Sequence, residues 1–214
     1  MRNILFNWFF EVHTKFRLKD RTLFLTGNIL DRYMQKFPVS RKNLQLVGIA
    51  SFLIASKFED IYPPDISELC FLCENVYTKD QILQQEGKIL SFLNFDLIFV
   101  SAFDVMDHYN QALDIKNQSV KDMTSMILKL FLYKNHIGKY NSFKLAAFAL
   151  DFANKLILDA DTEIKYIINE QEEKYLINKL KITLQEIKLD WLNALEDQYK
   201  ALYLKLVYCP YLFN

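Results

Sequence analysis

Apolar positions in the first hundred residues recur at the spacing of amphipathic helices. A first helix over about residues 2–17 is predicted by Ile4, Leu5, Trp8, Val12 and Phe16. Asp20 is expected to cap a second helix, which ends at Pro38. Further helices are predicted over residues 41–58, 65–72 and 79–93. Ser40 is the expected N-cap of the third helix, and Thr78 with Gln81 forms a capping box for the fifth.

The third predicted helix is the most apolar stretch of the chain, and it is followed by the proline pair Pro63 and Pro64. A helix that is apolar on nearly every face belongs at the centre of a bundle. Its small residues would let neighbouring helices approach closely; they are Gly48, Ala50, Ser51 and Ala55. Lys57 interrupts this pattern near the end of the helix. A solvated helix end, where a cation suits the helix dipole, is the simplest interpretation of that lysine.

The second half of the chain repeats the helical pattern more loosely. Apolar periodicity covers residues 102–110, 119–133 and 142–157 and resumes at about residue 172. The segment SFKLAAFALDFANKLI is rich in alanine and apolar residues, as a central bundle helix should be. The sequence therefore predicts an all-α protein with two tandem five-helix bundles, over residues 1–99 and 100–214, of which the second is more divergent.

Composition narrows the possible functions. Hydrophobic residues make up 51% and charged residues 24% of the chain, and 26 basic residues balance 26 acidic ones. This zero net charge argues against neutralisation of nucleic-acid phosphates as the main function. The four glycines are too far apart to form a phosphate-binding loop, so no nucleotide cofactor is expected. The longest uncharged apolar stretch, residues 44–56, is too short to cross a bilayer.

Residue types that support catalysis or metal binding are scattered. Cys70 and Cys73 form a CxxC motif without a second pair, and we interpret them as buried free thiols rather than zinc ligands. The three histidines are far apart in the sequence, and no nucleophile or base accompanies the carboxylates Glu59 and Asp60. An all-α enzyme is therefore disfavoured, and no metal site is expected.

Four segments of the chain resemble the cyclin box of A- and B-type mitotic cyclins. They are MRNILFNWFFEVHTKF, LDRYMQKFPVSRKNLQLVG, IASKFEDIYPPDI, and YTKDQIL with LNFDL, and they cover residues 1–99 in the family's order. After residue 100 the resemblance depends on the helical pattern and on LAAFAL, which is similar to the central helix of a second cyclin fold. The resemblance implies an N-terminal cyclin box over 1–99 and a C-terminal cyclin fold over 100–214.

The resemblance also implies a function. A cyclin is a non-catalytic regulatory subunit that binds and activates a cyclin-dependent protein kinase and helps recruit substrates in cell-cycle control. In this family the counterparts of Lys57 and Glu86 lie side by side and hydrogen-bond the αC helix of the kinase. An apolar floor around them is implied for Ile54, Phe58, Leu90, Phe95 and Leu97. Arg2 and Asp31 are implied to form a structural polar pair that locks the first helix to the second.

A second surface implied by the resemblance would recruit substrates or inhibitors that carry a short basic-x-Leu motif. An apolar groove would receive the leucine, and an acidic residue would meet the basic one. The implied residues are Met1, Ile4, Leu5, Trp8, Glu11, Arg41, Leu44 and Gln45. The alternative interpretation of this apolar stripe is that it belongs to the core.

The chain departs from the family in two respects. Asn7 stands where the family commonly has aspartate, so a charge is lost but a hydrogen-bonding side chain remains. The chain also starts on the implied docking helix, without the family's preceding helix, which also touches the kinase. This start is expected of a short cyclin, a fragment or a truncated gene model. Two R-x-x-L matches to a destruction signal, at Arg2 and Arg41, fall in predicted helices and are interpreted as chance.

Two other functions remain open at this stage. One is a cyclin-fold, transcription-factor-like protein that binds nucleic acid, and the other is a truncated cyclin that binds a kinase without activating it. We expect a kinase and docking-motif proteins as partners, and neither nucleic acid nor a membrane. The sequence contains no clear basic import signal, so both nucleus and cytoplasm are possible locations.

Overall fold

The computed structural model of the protein describes residues 2–133, 140–160, 162, 167–186, 203–204 and 206–207. Within these residues the regular structure is helical, with nine helices and no strand, which confirms the all-α prediction. Contacts between the helices divide the chain into two compact units, Met1–Phe99 and Val100–Asn214.

Five helices build the first unit: α1 (Arg2–Phe16), α2 (Asp20–Lys36), α3 (Arg41–Glu59), α4 (Ile66–Leu72) and α5 (Lys79–Phe92). The central position predicted for α3 is confirmed, because it packs against α1, α2 and α5 and every residue from Val47 to Ser56 is buried. Gly48 lies directly beneath the Leu5 side chain, where a Cβ atom would come within 2.7 Å of Leu5 Cδ2. This close approach explains why a glycine fits the middle of α3.

Side-chain caps define where the helices of this unit begin. Capping boxes start α4, at Asp65 and Glu68, and α5, at Thr78 and Gln81 as predicted. Ser40 is the N-cap residue of α3, although its side chain makes no capping hydrogen bond.

The prediction that Asp20 caps α2 is wrong. Lys19 is the N-cap residue, and Asp20 is the first residue of the helix. A carboxylate from another part of the chain, that of Asp60, accepts hydrogen bonds from the Lys19 backbone N–H at 2.9 Å and from the Thr22 hydroxyl. The start of α2 is therefore held by the residue that follows α3.

The second unit contains α6 (Ala102–Ala112), α7 (Gln118–Tyr133), α8 (Ser142–Leu158) and α9 (Glu170–Glu186) among the described residues. The alanine-rich α8 packs against α6 and α7 and is buried from Leu145 to Asn154. Residues 203–204 and 206–207 are also helical, but most of the chain after residue 186, where a fifth helix would lie, is outside the described residues.

Candidate functional site

Lys57 and Glu86 form an ion pair between α3 and α5. The Nζ atom of Lys57 lies 2.7 Å from Glu86 Oε1 and 3.0 Å from Oε2, so one ammonium group bridges both carboxylate oxygens. The Glu86 side chain is 11% exposed, whereas that of Lys57 is 48% exposed. Burial of a carboxylate is costly without a partner, and Lys57 supplies one while still reaching solvent. We call this pair and its exposed apolar neighbours, defined below, the Lys57–Glu86 site.

The sequence of each helix explains this position. In α3 the buried stretch ends at Ser56, so Lys57 is the first exposed residue of the last turn, where a cation also interacts favourably with the helix dipole. Glu86 lies in the middle of α5 on its buried face, with Ile82 one turn before it and Ile89 one turn after it. The pair therefore marks the point where the packed α3–α5 contact meets solvent.

Exposed aromatic side chains occur near the end of α3 and just after α5. Phe58 follows Lys57 and is 52% exposed, and Phe95 follows α5 and is 70% exposed. Leu90, one turn beyond Glu86, is half-buried. Exposed aromatic side chains of this size near a charged pair are typical of protein-binding surfaces.

Two of the residues assigned to the apolar floor lie in the core instead. Ile54 belongs to the buried stretch of α3, and Leu97 is also buried. Neither presents a free surface to a partner, so they can only support the exposed residues from beneath.

The backbone after α5 holds Phe95 in an unusual conformation. Asn94 and Phe95 both have positive φ angles, 50° and 59°. A left-handed conformation costs a phenylalanine about 1–2 kcal/mol. It is stabilised by a hydrogen bond from the Phe95 N–H to the Leu90 carbonyl, 3.0 Å, and by Arg32, which donates to the Asp96 carbonyl at 2.8 Å. This helix-ending turn fixes where the exposed Phe95 side chain lies.

Sequence reasoning missed three exposed apolar residues on or next to the two helices that carry the pair. Ile61 and Tyr62 lie just after α3 and are among the most exposed large apolar side chains of the first unit, with Tyr62 87% exposed. Leu83 is also exposed and precedes Glu86 by one turn of α5. The sequence does contain a sign of all three. Ile61 and Tyr62 are large apolar residues directly before the proline pair, where the chain leaves the core, and Leu83 is one helical turn from Glu86. With Phe58, Leu90 and Phe95, they complete the Lys57–Glu86 site.

The end of α3 is fixed in place by α2. Two residues at this end contact Lys19. The Asp60 carboxylate accepts a hydrogen bond from the Lys19 backbone N–H, and the Glu59 carbonyl accepts one from the Lys19 side chain. These contacts restrain the residues directly after Lys57 and Phe58, and so they pre-organise the Lys57–Glu86 site.

The residues implied in docking are divided between surface and core. Ile4 is 64% exposed, and Glu11 and Arg41 are also exposed, whereas Leu5 is only 7% exposed because it packs over Gly48. Leu5 therefore belongs to the core. Three of the remaining residues are half-buried: Trp8, Leu44 and Gln45. Met1 lies outside the described residues.

Arg2 and Asp31 are joined by two hydrogen bonds of 3.0 Å, from Nε to Oδ1 and from Nη2 to Oδ2. The Arg2 guanidinium also lies 4.0 Å from the centre of the Phe6 ring. This bidentate pair ties α1 to α2. The side chain of Asn7, also on α1, makes no comparable contact through its oxygen. Its Oδ1 atom is buried and accepts no hydrogen bond from the described residues.

The two described cysteines do not form a metal site. Cys70 and Cys73 are buried free thiols, as predicted, and burial raises the pKa of Cys73 to about 11. Within the described residues no group of three histidine, cysteine or acidic side chains could hold a metal ion. No helix in the described part is both long and apolar enough to cross a membrane.

Comparison with known proteins identifies relatives of this chain. The family profile "Cyclin, N-terminal domain" matches residues 1–98. G2/mitotic-specific cyclin-B of Marthasterias glacialis is 34% identical over 207 residues, which are 94% of this chain and 53% of that protein. Cyclin-A2 of Xenopus laevis is 32% identical over 205 residues, 94% of this chain and 48% of that protein.

A solved structure has the same fold. The X-ray structure of a viral cyclin from herpesvirus saimiri matches with a TM-score of 0.75 and 24% identity, and the match covers 86% of this chain and 84% of the viral one. This chain spans about half the length of the curated relatives it matches.

Proposed function

This chain belongs to the cyclin family as a relative of the A- and B-type mitotic cyclins, and we propose that it binds and activates a cyclin-dependent protein kinase through the Lys57–Glu86 site. Cyclins are non-catalytic regulators of kinases, so ATP and Mg²⁺ would belong to the kinase. The observation that carries the proposal is the ion pair of Lys57 and Glu86, which lies at the solvent edge of two packed helices among exposed aromatic side chains.

The ion pair is well suited to bind the polar end of a partner helix. An ammonium group has three N–H donors, and the two bonds to Glu86 use two of them. The third can donate to a backbone carbonyl of the kinase. Because Glu86 already neutralises Lys57, bringing the pair into an interface costs less than burying an unpaired lysine.

The apolar residues of the site would supply most of the affinity. Phe58, Tyr62 and Phe95 are all more than half exposed. Complete burial of one such side chain is worth about 1.5–3 kcal/mol. Aromatic residues are also enriched among the few positions that dominate binding free energy. We therefore expect these three residues to be the main apolar anchors.

Activation follows if the site binds the inward, active position of the kinase αC helix more tightly than its outward, inactive position. An active kinase needs the ion pair between its β3 lysine and its αC glutamate. A ligand shifts such an equilibrium only through its difference in affinity for the two states, and a change from 1:99 to 99:1 needs about 5.5 kcal/mol. Burial of two or three of the exposed aromatic side chains against only the inward αC position supplies free energy of that size.

We propose that the second surface recruits substrates or inhibitors with a basic-x-Leu motif. Ile4 is exposed on α1, Trp8 is half-buried one turn later, and Glu11 is exposed on the same helix. Ile4 and Trp8 would contact the leucine, and the Glu11 carboxylate would pair with the basic residue. Arg41, Leu44 and Gln45 of α3 would complete the surface, whereas Leu5 would only support it.

Reconstitution with purified cyclin-dependent kinases tests this function. We expect the chain to co-elute with at least one kinase of a panel on size-exclusion chromatography and to raise its phosphorylation of a peptide substrate. A complex without increased phosphorylation would favour a cyclin that binds without activating. Absence of a complex with every kinase tested would overturn the proposal.

A further inference from the structure

The neighbouring face of α5 and the end of α2 enclose an open groove with an aromatic wall. Tyr33 and Phe37 form the wall, with ring centres 4.9 Å apart, and the ring of Phe92 packs against Phe37 with a centre distance of 5.0 Å. Phe37 remains 40% exposed. The groove has a volume of about 540 Å³ and is lined by Tyr33, Phe37, Gln84, Gly87, Lys88 and Ser91. We call it the Gly87 groove.

Gly87 has no structural reason to be a glycine within its own unit. A Cβ atom at this position would meet no other atom within 4 Å, in contrast to Gly48. Its φ angle is not positive, so the backbone does not require glycine either. Glycine inside a helix is less favourable than alanine. The missing side chain leaves room for a segment that approaches α5 from outside.

The one charged residue that lines the Gly87 groove is basic. None of its six lining residues is acidic, and Lys88 is exposed. Lys36, in the last turn of α2, is exposed and directly precedes Phe37; it lines a second pocket together with Phe92 and the acidic Asp96. Arg32 in that pocket lies 3.8 Å from the Asp96 carboxylate, but the described residues contain no ion pair for Lys36 or Lys88. These two lysines complement an acidic partner.

We propose that the Gly87 groove docks an extended, acidic segment of a partner protein that carries one large apolar side chain. The apolar side chain packs against Tyr33 and Phe37, the main chain crosses Gly87, and the carboxylates lie near Lys36 and Lys88. An extended segment fits because Gly87 lets another backbone come close to α5. The proposal does not depend on kinase binding through the Lys57–Glu86 site.

A defined peptide tests the proposal on the whole chain. The probe is a fluorescein-labelled heptapeptide with the sequence Gly-Glu-Glu-Phe-Glu-Glu-Gly, and its binding is followed by fluorescence anisotropy. We expect saturable binding that weakens as salt increases. Replacement of the phenylalanine in the peptide by alanine should weaken binding by about tenfold. Failure of the parent peptide to saturate by about 1 mM would overturn the proposal.

Variants locate the binding to the groove. Gly87→Leu should fold, because the space above Gly87 is open, and its thermal midpoint should not fall below that of the wild type. It should nevertheless weaken peptide binding by about tenfold or more, with Gly87→Ala intermediate. Lys36→Glu combined with Lys88→Glu should have an effect of similar size. The matched control is Lys42→Glu combined with Lys79→Glu, which changes the same charge elsewhere on this unit. Equal binding by Gly87→Leu and wild type would overturn the proposal.

Discussion

The Lys57 ammonium bridges both oxygens of the Glu86 carboxylate, at 2.7 and 3.0 Å, and joins α3 to α5 where their packed surfaces reach solvent. The two residues differ in exposure, since the lysine is half exposed and the glutamate is nearly buried. The pair thus combines a structural contact with a donor that faces outward. This combination is what a partner-binding site at the edge of a bundle requires.

Replacement by alanine should have opposite effects on stability at Gly48 in α3 and at Gly87 in α5. Gly48→Ala would place a Cβ atom 2.7 Å from Leu5 Cδ2, and we expect it to lower the free energy of unfolding by about 1–3 kcal/mol. Gly87→Ala meets open space and should raise that free energy by about 0.5–1 kcal/mol. Urea denaturation of the two variants checks both signs. Destabilisation by Gly87→Ala would contradict the account.

Removal of the Asp60 carboxylate should loosen the start of α2. Asp60→Ala leaves the Lys19 N–H and the Thr22 hydroxyl without their acceptor. We expect a loss of about 1–2 kcal/mol in the free energy of unfolding. Amide hydrogen exchange should become faster in the first turn of α2. Asp80→Ala, an exposed change in the first turn of α5, is the control and should leave exchange in α2 unchanged.

Helix positions in this protein follow from local sequence, but contacts between helices do not. The apolar period predicted α3, and Thr78 with Gln81 marked the start of α5. Asp20 was the obvious local cap for α2, yet the carboxylate that serves there is Asp60, 41 residues away from Lys19. Local rules cannot identify a partner that only tertiary packing brings close.

The implied docking surface shows the same limit. Ile4 and Leu5 are adjacent and similar in character, but one is exposed and the other lies in the core. Neighbouring residues on a helix point about 100° apart, and the packing of α1 on α3, with Leu5 over Gly48, places Leu5 and not Ile4 in the core. The nearness of Lys57 and Glu86, which are 29 residues apart, likewise followed from the family resemblance rather than from spacing.

Stability should decrease with pH in the range where the Cys73 thiol ionises. Burial raises its pKa from 9.0 to about 11 in the folded chain. Between these values the unfolded chain releases the proton while the folded chain keeps it, so the folded state loses stability as pH rises. We expect a decrease on the order of 1–2 kcal/mol.

Urea denaturation at pH 8.5 and 10.5 measures this effect. Other groups also titrate in this range, so Cys73→Ala is the control, and it should show a smaller decrease than the wild type. Mass spectrometry after iodoacetamide treatment should find Cys73 protected in the folded chain and alkylated in urea. Equal pH dependence in wild type and Cys73→Ala would contradict this assignment.

The docking surface should be separable from kinase binding. Ile4→Asp and Glu11→Lys each remove one proposed contact to a basic-x-Leu peptide. We expect each change to weaken binding of such a peptide by about tenfold while co-elution with the kinase stays intact. Ile61→Asp, on the Lys57–Glu86 site, should have the reverse effect. Loss of both activities from one substitution at Ile4 or Glu11 would contradict two independent surfaces.

The affinity of a charge-swapped variant for the kinase tests the central claim most directly. Lys57→Glu combined with Glu86→Lys keeps an opposite-charge pair at the α3–α5 contact but reverses the charge presented outward. The control swap, Lys116→Glu with Asp114→Lys, reverses an exposed ion pair of 2.8 Å in the second unit. Circular dichroism establishes that both variants keep their helices.

Isothermal titration of each variant with the kinase that the wild type binds then gives the dissociation constant. We predict that the swap at Lys57 and Glu86 weakens binding by about a hundredfold or more, whereas the control swap changes it less than about threefold. Wild-type affinity in a folded Lys57–Glu86 swap would contradict the assignment of this site to the kinase.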